Sequence, residues 1–129
     1  MENIIKAGYE LVVRDIRKIS ESLVLDQKAG VSPDQVCQAI PGGLAGSTVM
    51  DAKAPMMIDR NYEPGFRIDL HIKDLNNVLE TSRGVGALLP LAAQVMEIMQ
   101  AIKQDGCGVE DHSGIIKFYE KLVNIEVAR

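Results

Sequence analysis

The chain has 129 residues, 47% hydrophobic and 25% charged, with 14 basic and 18 acidic side chains and a formal net charge of −4. That length and balance suit one folded domain with a real core and exclude a disordered chain. No Lys/Arg stripe offers a nucleic-acid surface, and the longest apolar run, Ala87 to Met99, is broken by Gln94 and Glu97 and too short to span a bilayer.

Val12, Ile16, Ile19 and Leu23 keep a helical step, which predicts a long first helix from about Glu10 to Ala29, stopped by Gly30. Ser32-Pro33-Asp34-Gln35 then reads as a helix start. Ser32 is the N-cap, Pro33 takes the first helical position, and Gln35 closes a capping box. Val36 and Ile40 are the positions this short helix buries, and Pro41-Gly42-Gly43 ends it. A glycine-rich turn from Gly42 to Ser47 leads into a short helix over Thr48 to Ala54. Pro55 to Gly65 follows as a loop with Met56, Met57 and Tyr62 tucked against apolar neighbours.

The next stretch, GFRIDLHIKDL from Gly65 to Leu75, fits two periods. Phe66, Ile68, Leu70 and Ile72 alternate with polar residues as in a half-buried strand, while Ile68, Ile72, Leu75 and Leu79 recur as on a helix. The apolar stripe runs on through Val78 and Leu79 to Gly84, a length that favours the helix. At about 100° per residue, Lys73 falls on the far side from that stripe with Asp69, Asn77 and Glu80. Asp69 and Lys73 then make an i,i+4 pair contributing about 0.3 kcal/mol. Pro90 opens a helix with Leu91, Val95, Met99 and Ile102 inward, Lys103 in its last turn and Gly106 beyond it. Asp111 caps a last helix whose buried side is Ile115, Phe118 or Tyr119, and Leu122. The expectation is an all-α single domain of about six helices, without internal repeat or second domain.

Chemistry is sparser. The two cysteines, Cys37 and Cys107, form no CxxC, and the N-terminal MENIIKAGYE has no signal segment, which together predict a cytoplasmic protein with ordinary thiols. His71 and His112 lie far apart with no metal-ligand spacing, so no metal site is expected. With no Trp and only three Tyr and two Phe, the core rests on aliphatic residues and Met. Arg83-Gly84-Val85-Gly86 is not a dinucleotide fingerprint, because Leu89 stands where the third glycine would be and no strand precedes the run. The backbone amides of Gly46 and Ser47, opening a helix, remain candidates to hold a carboxylate or phosphate.

The phrases GGLAGSTV, DAKAPM, PGFRIDLHIKDL, GVGALLPL and DHS followed by YEKL carry a resemblance. From about Ile19 to Arg129 the chain resembles the C-terminal domain of the 3-hydroxyisobutyrate dehydrogenase (β-hydroxyacid dehydrogenase) family, in the branch that reduces tartronate semialdehyde (2-hydroxy-3-oxopropionate) to glycerate. The resemblance implies a helical domain closing over NAD or NADP held by a separate Rossmann domain that this chain lacks. It implies that the isolated chain binds no cofactor, and that apolar helical faces make a homodimer. The lysine of the family's KDL motif, which lies near cofactor and substrate, corresponds to Lys73, and a residue near the nicotinamide end corresponds to Phe66. Asp111, in the DHS motif, matches a position that is structural first and related to the cleft second, alongside Gly46 and Ser47 on the substrate side.

The family's proton-donating lysine opens the long first helix in a pattern of Lys, two residues, then Asn. Here Ile5 and Gly8 stand at those positions, with Lys6 one residue away. Lys6 is a catalytic candidate only through a gap, since one residue turns a helix by about 100°. ENIIKAGYELVVRDI also resembles the end of the Rossmann domain's first helix and its second strand, so residues 1–18 read either as a splice or as a diverged first helix.

Overall fold

Apolar spacing governs the elements of the computed structural model, which describes the backbone of residues 2–129 and the side chains of residues 11–129. Six α-helices follow one another: α1 (Glu2–Lys28), α2 (Pro33–Ala39), α3 (Thr48–Ile58), α4 (Ile68–Val85), α5 (Pro90–Ile102) and α6 (Ile116–Val123). A π-helical turn (Lys103–Cys107) and a 3-10 turn (His112–Ile115) connect α5 to α6. Among the described residues the only extended pairing is an isolated antiparallel bridge between Arg67 and Asp111. No helix is long and apolar enough to cross a membrane among the described residues.

α1 is the axis of the domain and packs against each of the other five helices. It begins at Glu2, well before the expected Glu10. Its stripe passes through Val13, fully buried, rather than Val12, which is only half-buried. Burial of Val13 and Ile16 overrides the strand preference of β-branched residues in this stretch. Ser20 sits in the same buried stripe because its Oγ donates to the Ile16 carbonyl at 2.8 Å.

α2 departs from expectation. Ser32 stands at the N-cap but makes no side-chain cap bond, so the capping box does not form. Asp34 is tied to Arg129 instead, and the buried residue is Pro33, with Val36 and Ile40 half-buried.

α3 runs four residues past Ala54, straight through Pro55. An interior proline costs about 3 kcal/mol. Burying Met57 and Ile58 returns roughly 1.5–3 kcal/mol each, so packing wins. The helix then stops on Arg60, which adopts the left-handed φ of 53° usually left to glycine. The guanidinium offsets that strain by donating to Glu120 at 2.7 Å and to the Val127 carbonyl at 3.1 Å.

α4 is a helix, as its length predicts, though it starts at Ile68 and reaches Val85, where Gly86 at φ 74° closes it. In α5 the buried stripe is Ala92, Val95, Met99 and Ile102, while Leu91 is exposed. In α6 Leu122 is likewise exposed, and Ile116 and Tyr119 face the core. The α4 stripe, Val95, Met99 and Ile102 of α5, and Ile115 and Tyr119 face inward as expected, and only the edge residues Leu91 and Leu122 do not, because the packing partner, unknown from sequence, sets which edge faces inward.

Candidate functional site at the entrance to α4

The backbone entering α4 is held by the segment from Gly108 to His112, far along the chain. Arg67, the N-cap of α4, has no side-chain cap bond. The first helical amides donate to carbonyls instead: Ile68 N–H to Glu110 at 3.0 Å and Asp69 N–H to Gly108 at 2.9 Å. These bonds satisfy donors that a helix start otherwise leaves open, and they leave those two amides no room to bind an anion. Two further bonds complete the seam, from Asp111 N–H to the Tyr62 carbonyl and from His112 N–H to the Phe66 carbonyl, each at 2.9 Å.

Asp111 is fully buried at the centre of this seam. It does not cap α6. One carboxylate oxygen accepts the Gly65 and Phe66 amides at 3.0 and 3.1 Å, and the other accepts the Ser113 amide at 2.9 Å. Lys53 Nζ reaches both oxygens at 3.1 Å. Burial by itself would raise the Asp111 carboxyl, but donation from the Ser113 and Phe66 amides holds it well below the usual carboxylate range. It is a charged, fully engaged anion.

Next to it lie two histidines that are separated by 41 residues in sequence. His112 Nδ1 and His71 Nε2 are 2.6 Å apart, and both side chains are buried. Burial depresses both imidazoles below their ordinary range; His112 lowers His71 further, and Asp111 only partly counters the effect. Phe66 stands edge-on to His71, with ring centroids 4.3 Å apart, and 5.9 Å from His112. The structure therefore joins Phe66 and Asp111 and adds Lys53, His71 and His112, which the sequence reading did not assign to a site. His71 had a signal: on a wheel of about 100° per residue it falls with Ile68, Ile72 and Leu75.

Other candidates lie elsewhere. Lys73 is exposed on α4. Its expected pair with Asp69 does not form, because Arg67 takes the Asp69 carboxylate, with Nε at 3.0 Å. The amide of Gly46 donates to the Gly43 carbonyl at 3.1 Å, so it does not offer the anion site expected of it. Ser47 caps α3, its Oγ accepting from Met50 N–H at 3.0 Å. Both line a cleft of about 400 Å³ against α1 and α2 that includes none of the α4-entrance residues. The Lys6 side chain lies outside the described residues. A larger cavity of about 660 Å³ has charged walls already matched, Arg60 to Glu120 at 2.7 Å and Lys121 to Asp105 at 2.8 Å. Cys37 and Cys107 are free thiols, each pushed up by burial. Among the described residues no cluster of three or more His, Cys, Asp or Glu could hold a metal ion.

Six helices packed around the long α1, with the entrance to α4 sealed by backbone from the segment before α6, define an all-α domain. A family model described as the NAD-binding domain of NADP-dependent 3-hydroxyisobutyrate dehydrogenase matches residues 7–119. The chain belongs to the 3-hydroxyisobutyrate dehydrogenase family, whose members are NAD(P)-dependent. It is similar to 2-hydroxy-3-oxopropionate reductase of Escherichia coli K12, 35% identical over 122 residues that make up 95% of this chain and 42% of that protein. Against 2-(hydroxymethyl)glutarate dehydrogenase of Eubacterium barkeri the identity is 30%, over 88% of this chain and 38% of the relative. The chain thus spans less than half the length of these relatives. A crystal structure of 3-hydroxyisobutyrate dehydrogenase from Salmonella typhimurium shares the fold, with a TM-score of 0.82 at 24% identity over 88% of this chain and 40% of that one.

Proposed function

We propose that this chain is the substrate-side helical domain of an NAD(P)-dependent 2-hydroxy-3-oxopropionate (tartronate semialdehyde) reductase, acting together with a dinucleotide-binding domain. The observation that carries the reading is the 35% identity to such a reductase across 95% of this chain. Lys73 suits the role, since an exposed ammonium can meet a phosphate or carboxylate. Phe66 suits it too, as a half-buried ring fixed at the start of the same helix.

The chain fits a cofactor as a covering wall and not as a cradle. It has no glycine fingerprint, and the first amides of α4 are already taken by Gly108 and Glu110. When bound, the nicotinamide cofactor supplies the hydride that reduces the aldehyde carbon. The domain's own contribution is a cation, an apolar wall and exclusion of water from the reacting centre. The carbonyl oxygen also needs a proton. Among the described side chains none is placed to give it.

The purified chain is expected to oxidise neither NADH nor NADPH in the presence of tartronate semialdehyde. Turnover near that of an intact reductase would overturn this. The substrate assignment is tested by grafting residues 19–129 onto the N-terminal domain and first-helix start of the E. coli reductase. Reduction of tartronate semialdehyde by the chimera is expected; preference for another 3-oxo acid would sink it.

A second reading, a non-catalytic helical oligomerisation module, is favoured by fully or largely exposed Leu44, Val85 and Leu88. It predicts a homodimer by light scattering at micromolar concentration, and a monomer at all concentrations would dismiss it.

A further inference from the structure

Two imidazole nitrogens 2.6 Å apart must share one proton, because two bare lone pairs or two N–H groups would repel at that distance. The neighbouring anion decides which nitrogen carries it. His112 Nε2 lies 3.9 Å from Asp111 Oδ1, too far for a hydrogen bond, and has no other partner although it is buried. A bare lone pair facing a buried carboxylate is repelled, whereas an N–H there is attracted, and low dielectric magnifies the difference. His112 therefore carries its proton on Nε2 and leaves Nδ1 bare. That nitrogen accepts from His71, which must then hold its own proton on Nε2.

The result is one direction of polarity: His71 donates to His112, whose Nε2–H faces Asp111 electrostatically, while the Lys53 ammonium from α3 contacts both carboxylate oxygens. Its charges balance: one carboxylate, one ammonium and two neutral rings. Asp111 is the acceptor for the Gly65 and Phe66 amides, and His71 is the surface on which the Phe66 ring rests.

We propose that Lys53, Asp111, His112 and His71 form a positioning unit, locked in one tautomeric direction, that fixes Phe66 and the entrance to α4. None of the four is a catalytic residue; they act through Phe66. Only the use of Phe66 in a cofactor cleft rests on the reductase reading, and the unit can be tested in this chain without any nucleotide.

Long-range proton–nitrogen NMR on the nitrogen-15-labelled chain at pH 7 tests the lock directly. The expected spectrum has both rings neutral, with pyrrole-type Nε2 and pyridine-type Nδ1 on each. Protonated Nδ1 on His112, or an imidazolium on either residue, would overturn the proposal. Asp111→Asn removes the charge that selects the tautomer, so the Nε2–H to Nδ1–H ratio of His112 should fall roughly tenfold, the weight of one contact with a charged group. An unchanged ratio would count against the unit. His112→Asn leaves an oxygen near the Nδ1 position to accept from His71, while His112→Leu does not. Gly65 and Phe66 amide exchange should stay near wild type in the first and accelerate strongly in the second. Equal behaviour of the two variants would refute the positioning role. Should His112→Leu not fold, the wild-type tautomers and His112→Asn still decide.

Discussion

α3 and α4 both have to satisfy the open amides at their starts, and they do it by opposite means. α3 uses its own N-cap: Ser47 Oγ accepts from Met50, three residues on, after an exposed turn in which Leu44 is wholly in solvent. α4 borrows from elsewhere. Carbonyls of Gly108 and Glu110 take its first amides, and Asp111 takes those of Gly65 and Phe66. A local cap works even in a frayed context and contributes modestly. A distant clamp exists only when the whole domain is assembled, and it concentrates buried charge in one place. The contrast predicts that damage at the α4 entrance spreads and damage at the α3 entrance stays local.

The largest effect should come from Asp111→Ala. It leaves the Lys53 ammonium facing a buried site and strips an acceptor from three amides, and should cost about 3–5 kcal/mol in urea unfolding. A loss near 1 kcal/mol would mean that the two entrances are equivalent after all.

Acid should discriminate next. Both histidines are depressed in the fold, so the unfolded chain binds protons first as pH falls. Their contribution is complete above the ordinary imidazole range and is lost downward through it, to about 4 for His112 and about 3 for His71. Asp111, also depressed, keeps its contribution until the pH drops below the ordinary carboxylate range. Stability should fall by up to about 1.4 kcal/mol per pH unit for each imidazole below pH 6.5. A flat profile between pH 7 and 5 in denaturant titrations would remove the buried pair from the account.

Ser47→Ala should cost about 1 kcal/mol, with amide exchange accelerated in the first turn of α3 and unchanged at Gly65. Lys73→Ala should change stability by no more than about 0.5 kcal/mol, since the side chain is exposed and Asp69 is engaged by Arg67. A larger loss would show Lys73 to be structural and weaken its assignment to a cofactor-facing surface.

How much of this was legible beforehand follows the same division. Ile68, Ile72, Leu75 and Leu79 at helical steps announce a helix through near neighbours in the chain. The stop of α3 was misplaced because a proline at 55 signals an end, while the compensating burial of Met57 and Ile58 depends on other helices. Phe66 and Asp111 were singled out by resemblance without any hint that they touch. Lys53, His71 and His112 belong to three separate elements, and no spacing in the chain links them.

The amino-acid sequence by itself determined an all-helical domain, the approximate placing of its helices, and its family. Those properties rest on the period of apolar residues and on motif strings, both of which are local. Tertiary structure alone decided that Val13 rather than Val12 and Ala92 rather than Leu91 face inward, that Asp69 answers to Arg67 rather than Lys73, and that an aspartate, a lysine and two histidines meet at one helix entrance. Helix packing sets those distances, and side chains 41 residues apart acquire a common proton only after the chain has folded around them.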